Sequence, residues 1–134
     1  MKQPLTWAVA MLVAAVTFGG PAVANHEAPA PMIEGTPTPS STPFCRTVED
    51  ARLIGEEFAT AGRVAAKVLL ATFSSAGLSR CGNGGGMVVP LELMDVFTAP
   101  DKVVMYVIRV KPGSFDFDLF LMTVREFRRA GDSA

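Results

Sequence analysis

The chain has 134 residues, with 12 lysines and arginines against 13 aspartates and glutamates, and a formal net charge of −1. This balance creates no overall field that would steer the protein toward nucleic acid or an anionic membrane. The single histidine, His26, precedes the segment predicted to fold. The folded part therefore has no Ser-His-Asp or Cys-His catalytic set and no His ligand for zinc. The composition predicts a protein that is not an enzyme and that holds no metal or cofactor.

Residues 1–24 have the order of a secretory signal peptide. Lys2 precedes an apolar run over residues 5–18, and small residues ending at Ala24 follow it. A membrane helix is the alternative, but the run is shorter than the ~20 residues that cross a bilayer. We therefore expect cleavage after Ala24, a mature chain that starts at Asn25 and a periplasmic or secreted location. We expect no stable membrane insertion after cleavage.

Residues 25–44 hold five prolines and five serines or threonines, and their apolar residues follow almost no period. This composition predicts a disordered tether that proline stiffens locally. The folded domain is then expected over residues 45–124, and a flexible basic tail over residues 125–134.

Cys45 and Cys81 are the two cysteines of the chain. An exported protein meets oxidising conditions, in which disulfides persist, so the pair is predicted to form one structural disulfide. A metal pair or a reactive thiol are the alternatives. The C-x-x-C spacing of a redox pair is absent.

Helical periodicity runs from Thr47, a candidate N-cap, to Gly77, a candidate stop. Read as one helix, this segment would be about 45 Å long at ~1.5 Å per residue. Such a helix could not bring Cys45 and Cys81 within the ~4.4–6.8 Å that separates the Cα atoms of paired cysteines. The chain is therefore expected to reverse near Gly62, which gives two antiparallel helices.

The sequence CGNGGG over residues 81–86 has the glycine content of a phosphate-binding loop. Such a loop follows a strand and opens a helix, because the helix N-terminus supplies free N–H groups. Here a predicted helix precedes the glycines and an apolar, β-branched run follows them. The cluster is therefore predicted to be a turn that leads from the second helix into a sheet.

Three strands are predicted over residues 87–97, 102–110 and 115–124. Pro90 lacks a backbone donor, which favours an edge strand or a bulge at that point. Short turns between the strands favour an antiparallel meander. The predicted fold class is α+β, with two antiparallel helices packed on a three-stranded antiparallel meander and one disulfide.

Apolar residues occupy both faces of the predicted sheet. A second apolar patch is expected at Met105, Val107, Phe120 and Met122, which are spaced by two along their strands. The C-terminal tail or the tether can cover this patch, or the sheet can curl into a half-barrel. Alternatively, the patch is a partner-binding surface or a homodimer face. These four residues are the predicted partner-binding site.

Asp116 and Asp118 are two residues apart on the predicted third strand and would share a face. Paired carboxylates can perform acid/base chemistry or hold calcium. The alternative is that both carboxylates lie at a strand edge that faces solvent. This interpretation predicts no metal site.

The order of Cys45, a helix pair with Gly62 at its centre, Gly77 and then Cys81 before β-strands resembles small exported proteobacterial proteins of unknown function. The resemblance implies a helix pair, a disulfide and a small sheet, and it implies no activity. The leading hypothesis is a non-enzymatic protein-interaction or structural role in the cell envelope, with an unknown protein or a second copy as partner. The alternative is a small-ligand or metal-binding protein that uses the second sheet face.

Overall fold

The computed structural model describes residues 29–75, 80–113 and 115–131. The predicted signal peptide, the start of the predicted tether with His26, the predicted stop at Gly77 and the last three residues of the predicted tail lie outside this range. Within the range, the chain forms β1 (Met32–Ile33), β2 (Thr38–Ser40), β3 (Pro43–Cys45), α1 (Val48–Ala61), α2 (Arg63–Ser74), β4 (Cys81–Asn83), β5 (Gly86–Thr98), β6 (Val104–Pro112), β7 (Leu119–Thr123) and β8 (Phe127–Arg128). No helix of the described residues is long and apolar enough to cross a bilayer.

Two helices joined at Gly62 confirm the predicted break between the cysteines. The side chain of Thr47 caps α1 by accepting a hydrogen bond from the backbone N–H of Asp50 at 3.2 Å. Gly62 has a φ of 94°, a left-handed value that glycine adopts without a Cβ clash. Cys45 and Cys81 lie opposite each other in β3 and β4 and form the predicted disulfide.

The larger sheet has six antiparallel strands in the order β2-β5-β6-β7-β3-β4. Its centre is the predicted meander of β5, β6 and β7, which three further strands extend on both sides. The predicted third strand over residues 115–124 is too long, because β7 starts at Leu119 and Phe115 and Phe117 precede it. A shift of register directly after Pro90 agrees with the bulge that this proline favours.

The prediction of a disordered tether is wrong for residues 29–44, which contribute β1, β2 and the first two residues of β3. The prediction of a flexible tail is also wrong where β8 pairs in parallel with β1. Arg125 Nε adds a hydrogen bond to the backbone carbonyl of Ala30 at 2.7 Å. Both terminal segments are ordered because they pair with distant parts of the chain. Local composition carries no information about such pairing.

Apolar side chains are buried on both faces of the larger sheet. On one face, α1 and α2 cover Val107 and Met122. On the other face, Met32 of β1 and Phe127 of β8 pack in a cluster with Ile108. The sheet is therefore the middle layer between the helices and the paired terminal strands.

Candidate functional site

The structure places the four predicted partner-binding residues on the face that the helices cover. Val107 and Met122 are opposite each other in β6 and β7, and they are 0% and 1% exposed. Met105 and Phe120 are half-buried and pack against the same cluster. The expectation of a free face centred on these residues is therefore wrong. Alternation along a strand shows which residues share a face, but it does not show which face receives the helices.

A cavity of about 220 Å³ lies between the two helices and the sheet. Its lining is apolar apart from two threonines and two basic residues, and it consists of Thr42, Pro43, Ile54, Phe58, Arg63, Ala66, Lys67, Leu70, Val103, Met105, Met122, Thr123 and Val124. Met105 and Met122 of the predicted site therefore line this cavity, whereas Val107 and Phe120 do not.

Helical spacing explains how α1 and α2 supply apolar walls. Ile54 and Phe58 are four residues apart on α1, and Ala66 and Leu70 are four residues apart on α2, so each pair shares one helix face. All four side chains are buried. Met105 approaches from β6 with a flexible thioether, which can adapt to molecules of different shape.

Two exposed basic residues of α2, Arg63 and Lys67, lie at the rim of this cavity, one helical turn apart. The Arg63 side chain is 51% exposed, and its Nη2 lies 3.9 Å from Oδ2 of Asp101. An ion pair between groups this exposed contributes little to stability. No carboxylate of the described residues lines the cavity. The site therefore combines an apolar interior with a cationic rim.

An ion pair beside the disulfide links the two helices. Arg80 donates from Nε to Oδ2 of Asp50 at 3.0 Å and from Nη2 to the other carboxylate oxygen. The guanidinium also lies 4.0 Å from the ring centroid of Phe73, near the end of α2. The hydrogen bond from Arg80 lowers the pKa of Asp50, although burial of the carboxyl acts in the opposite direction. Asp50 is in the first turn of α1 and Phe73 is near the end of α2, so Arg80 contacts both helices beside the disulfide.

Asp116 and Asp118, the carboxylates that could have served as catalytic groups or calcium ligands, pair with different basic residues. Asp118 accepts a hydrogen bond from Arg109 Nη1 at 2.7 Å, and Glu92 lies 3.1 Å from Nη2 of the same arginine. The hydrogen bond with Asp118, followed by that with Glu92, raises the pKa of Arg109. Asp116 is exposed and lies 3.9 Å from Lys111 Nζ. The part of the chain that the structure describes has no group of three or more His, Cys, Asp or Glu residues placed to hold a metal ion.

The glycine cluster connects two strands, whereas the sequence predicted a turn from the second helix into a sheet; the short strand β4 lies between that helix and the turn. Gly82 belongs to β4 and Gly86 starts β5, so the chain crosses between them at Gly84 and Gly85. A strand and not a helix follows, which leaves no helix N-terminus for a phosphate at this point. A Cβ at Gly84 would lie 3.3 Å from the ring of Phe44, so the connection packs closely against β3.

Comparisons of the chain with protein-family models, curated proteins and solved structures gave no match. The resemblance to small exported proteobacterial proteins of unknown function stays a prediction. Function is therefore inferred from the cavity and its rim. Sequence reasoning missed Arg63 and Lys67, because two basic residues one turn apart are also typical of a solvated helix face.

Proposed function

We propose that the protein acts outside the cytoplasm as a non-enzymatic domain that binds a small apolar molecule between its helices and its sheet. The observation that carries this proposal is the apolar cavity of about 220 Å³. A dry apolar cavity of ~150 Å³ is enough to bind benzene. The space in this domain suits a ring or a chain of several carbons.

The position of the predicted site residues favours ligand binding over a protein-interaction face. Met105 and Met122 lie beneath the helices, where a folded protein partner has no access to them. They are, however, in contact with the space that a small molecule would fill. The alternative hypothesis assigned ligand binding to the sheet face that carries Met105 and Met122. In the proposed function, this face forms the floor of the cavity.

Titration of the oxidised protein with the neutral fluorescent probe N-phenyl-1-naphthylamine tests the cavity site. We expect fluorescence to rise on binding, and we expect Ala66→Leu to abolish most of the rise, because the larger side chain fills the cavity from α2. Ala61→Leu makes the same change at an exposed position at the end of α1 and is the matched control. Equal binding by all three proteins, or no binding by the wild type, would contradict the proposal.

Export is the second part of the proposal. Its support is the order of residues in the first 24 positions, together with the Cys45–Cys81 disulfide, since disulfides persist outside the reducing cytoplasm. We expect protein recovered from the periplasm or the medium of producing cells to begin at Asn25 and to contain no free thiol. Recovery only from the cytoplasm, with Met1 retained and both thiols free by mass spectrometry, would count against export.

Binding of a protein partner or a second copy is a second candidate function, and an exposed apolar patch of Met87, Phe115 and Phe117 favours it. The two phenylalanine rings stack with centroids 5.0 Å apart, and Met87 and Phe115 border the same surface crevice. Contiguous exposed apolar groups mark contact sites in many proteins. Analytical ultracentrifugation should then show concentration-dependent association that Phe115→Ser/Phe117→Ser removes. A wild type that stays monomeric would exclude the homodimer.

A further inference from the structure

The charges at the rim indicate which kind of molecule the cavity takes. Arg63 and Lys67 are the charged residues of its lining among the residues described, and both are cations. Arg63 is also the first residue of α2, where the helix dipole disfavours positive charge, and the first turn of α2 has no acidic residue. Helix stability alone would not select an arginine at this position, which agrees with a role in binding.

The two cations are available to a ligand. The nearest carboxylate, that of Asp101, has its Oδ2 3.9 Å from Arg63 Nη2, while its Oδ1 accepts a hydrogen bond from the backbone N–H of Val103 at 3.1 Å. Lys67 has no ion-pair partner within residues 29–75, 80–113 and 115–131. Because side chains four residues apart on a helix are neighbours, both cations can contact one anionic group.

Resting on the ligand-binding function proposed above, we propose that the ligand is an anionic amphiphile with a carboxylate or phosphate head and an apolar tail of medium length. The tail lies among Phe58, Leu70 and Met105, and the head pairs with Arg63 and Lys67. The volume of about 220 Å³ limits how much of a long chain can be buried. The apolar walls also exclude water from one side of the ion pair, which strengthens it relative to bulk solvent.

Isothermal titration of the oxidised protein with sodium octanoate, octyl phosphate and 1-octanol, which share one tail, tests the head group. We expect both anions to bind about 10-fold more tightly than the alcohol. Arg63→Gln/Lys67→Gln should remove this advantage and leave octanol binding unchanged. Arg46→Gln/Arg129→Gln removes the same charge at exposed positions outside the cavity lining and should leave all three affinities unchanged.

The outcomes distinguish failure of the proposed anionic head group from failure of the proposed cavity site. Equal affinities for octanoate and octanol, both lost in Ala66→Leu, overturn the anionic head and leave the apolar cavity site standing. Failure of all three probes to bind, or binding that Ala66→Leu leaves intact, overturns the cavity site as well. The anion that binds more tightly identifies the head as carboxylate or phosphate. Added NaCl should weaken the binding of the two anions and not that of the alcohol, because salt screens an exposed ion pair.

Discussion

Removal of the Cys45–Cys81 disulfide should strongly destabilise this domain. The bond joins residues 36 positions apart, and the loop between them contains both helices. In the chain-entropy model, closing a loop of that length stabilises the folded state by about 4 kcal/mol at 25 °C. A domain of this size loses roughly 4–8 °C of Tm per kcal/mol, so we expect Tm to fall by about 15–30 °C. Without the bond, the edge strand β4 is held by its pairing with β3, by its packing on α2 and by the neighbouring Asp50–Arg80 pair.

Thermal unfolding followed by circular dichroism of wild type and Cys45→Ala/Cys81→Ala measures this loss. Both cysteines are buried, and alanine is small and apolar, so the variant introduces no polar group into the core. Wild type in excess dithiothreitol should melt near the variant, and the reductant should leave the variant unchanged. A variant that melts within a few degrees of oxidised wild type would refute the loop-closure reasoning.

Two further predictions concern α1. Gly55→Ala should destabilise the fold by about 1–2 kcal/mol, because a Cβ at Gly55 would overlap the ring of Phe97, and this outweighs the better helix propensity of alanine. Equal or greater stability in urea unfolding would contradict it. The lowered pKa of Asp50 means that its stabilising contribution is present above the unfolded pKa, about 4, and is lost as pH falls through the lower folded pKa. We expect the Tm difference between wild type and Asp50→Asn to be constant above about pH 5 and to shrink in acid. A difference that persists unchanged in strong acid would show that Arg80 does not act through the charge of Asp50.

The helical layer could be predicted because its signals act locally or through one covalent bond. Thr47 and Asp50 form the cap of α1, and Gly62 separates the helices. The pairing of Cys45 with Cys81 requires the chain to return to its starting point. None of these features depends on how the rest of the chain folds.

The strands at the two ends of the domain could not be predicted, because each is stabilised by residues far along the chain. Met32 is 0% exposed beside Phe127 and Ile108, yet apart from Ile33 its neighbours in sequence are prolines, small residues and polar residues. Propensity describes a residue within its local segment and does not report a partner that tertiary packing supplies.

The sequence by itself determined that Val107 and Met105 share one face of a strand and that Phe120 and Met122 share one face of the next, because the period of two follows from backbone geometry. Only the tertiary structure decided that the helices cover that face and that the terminal strands cover the other. Both faces of the central strands are apolar, so burial of either satisfies the hydrophobic effect, and long-range packing makes the choice. The cavity follows from that choice, since its volume is the space left where side chains of α1, α2 and β6 meet.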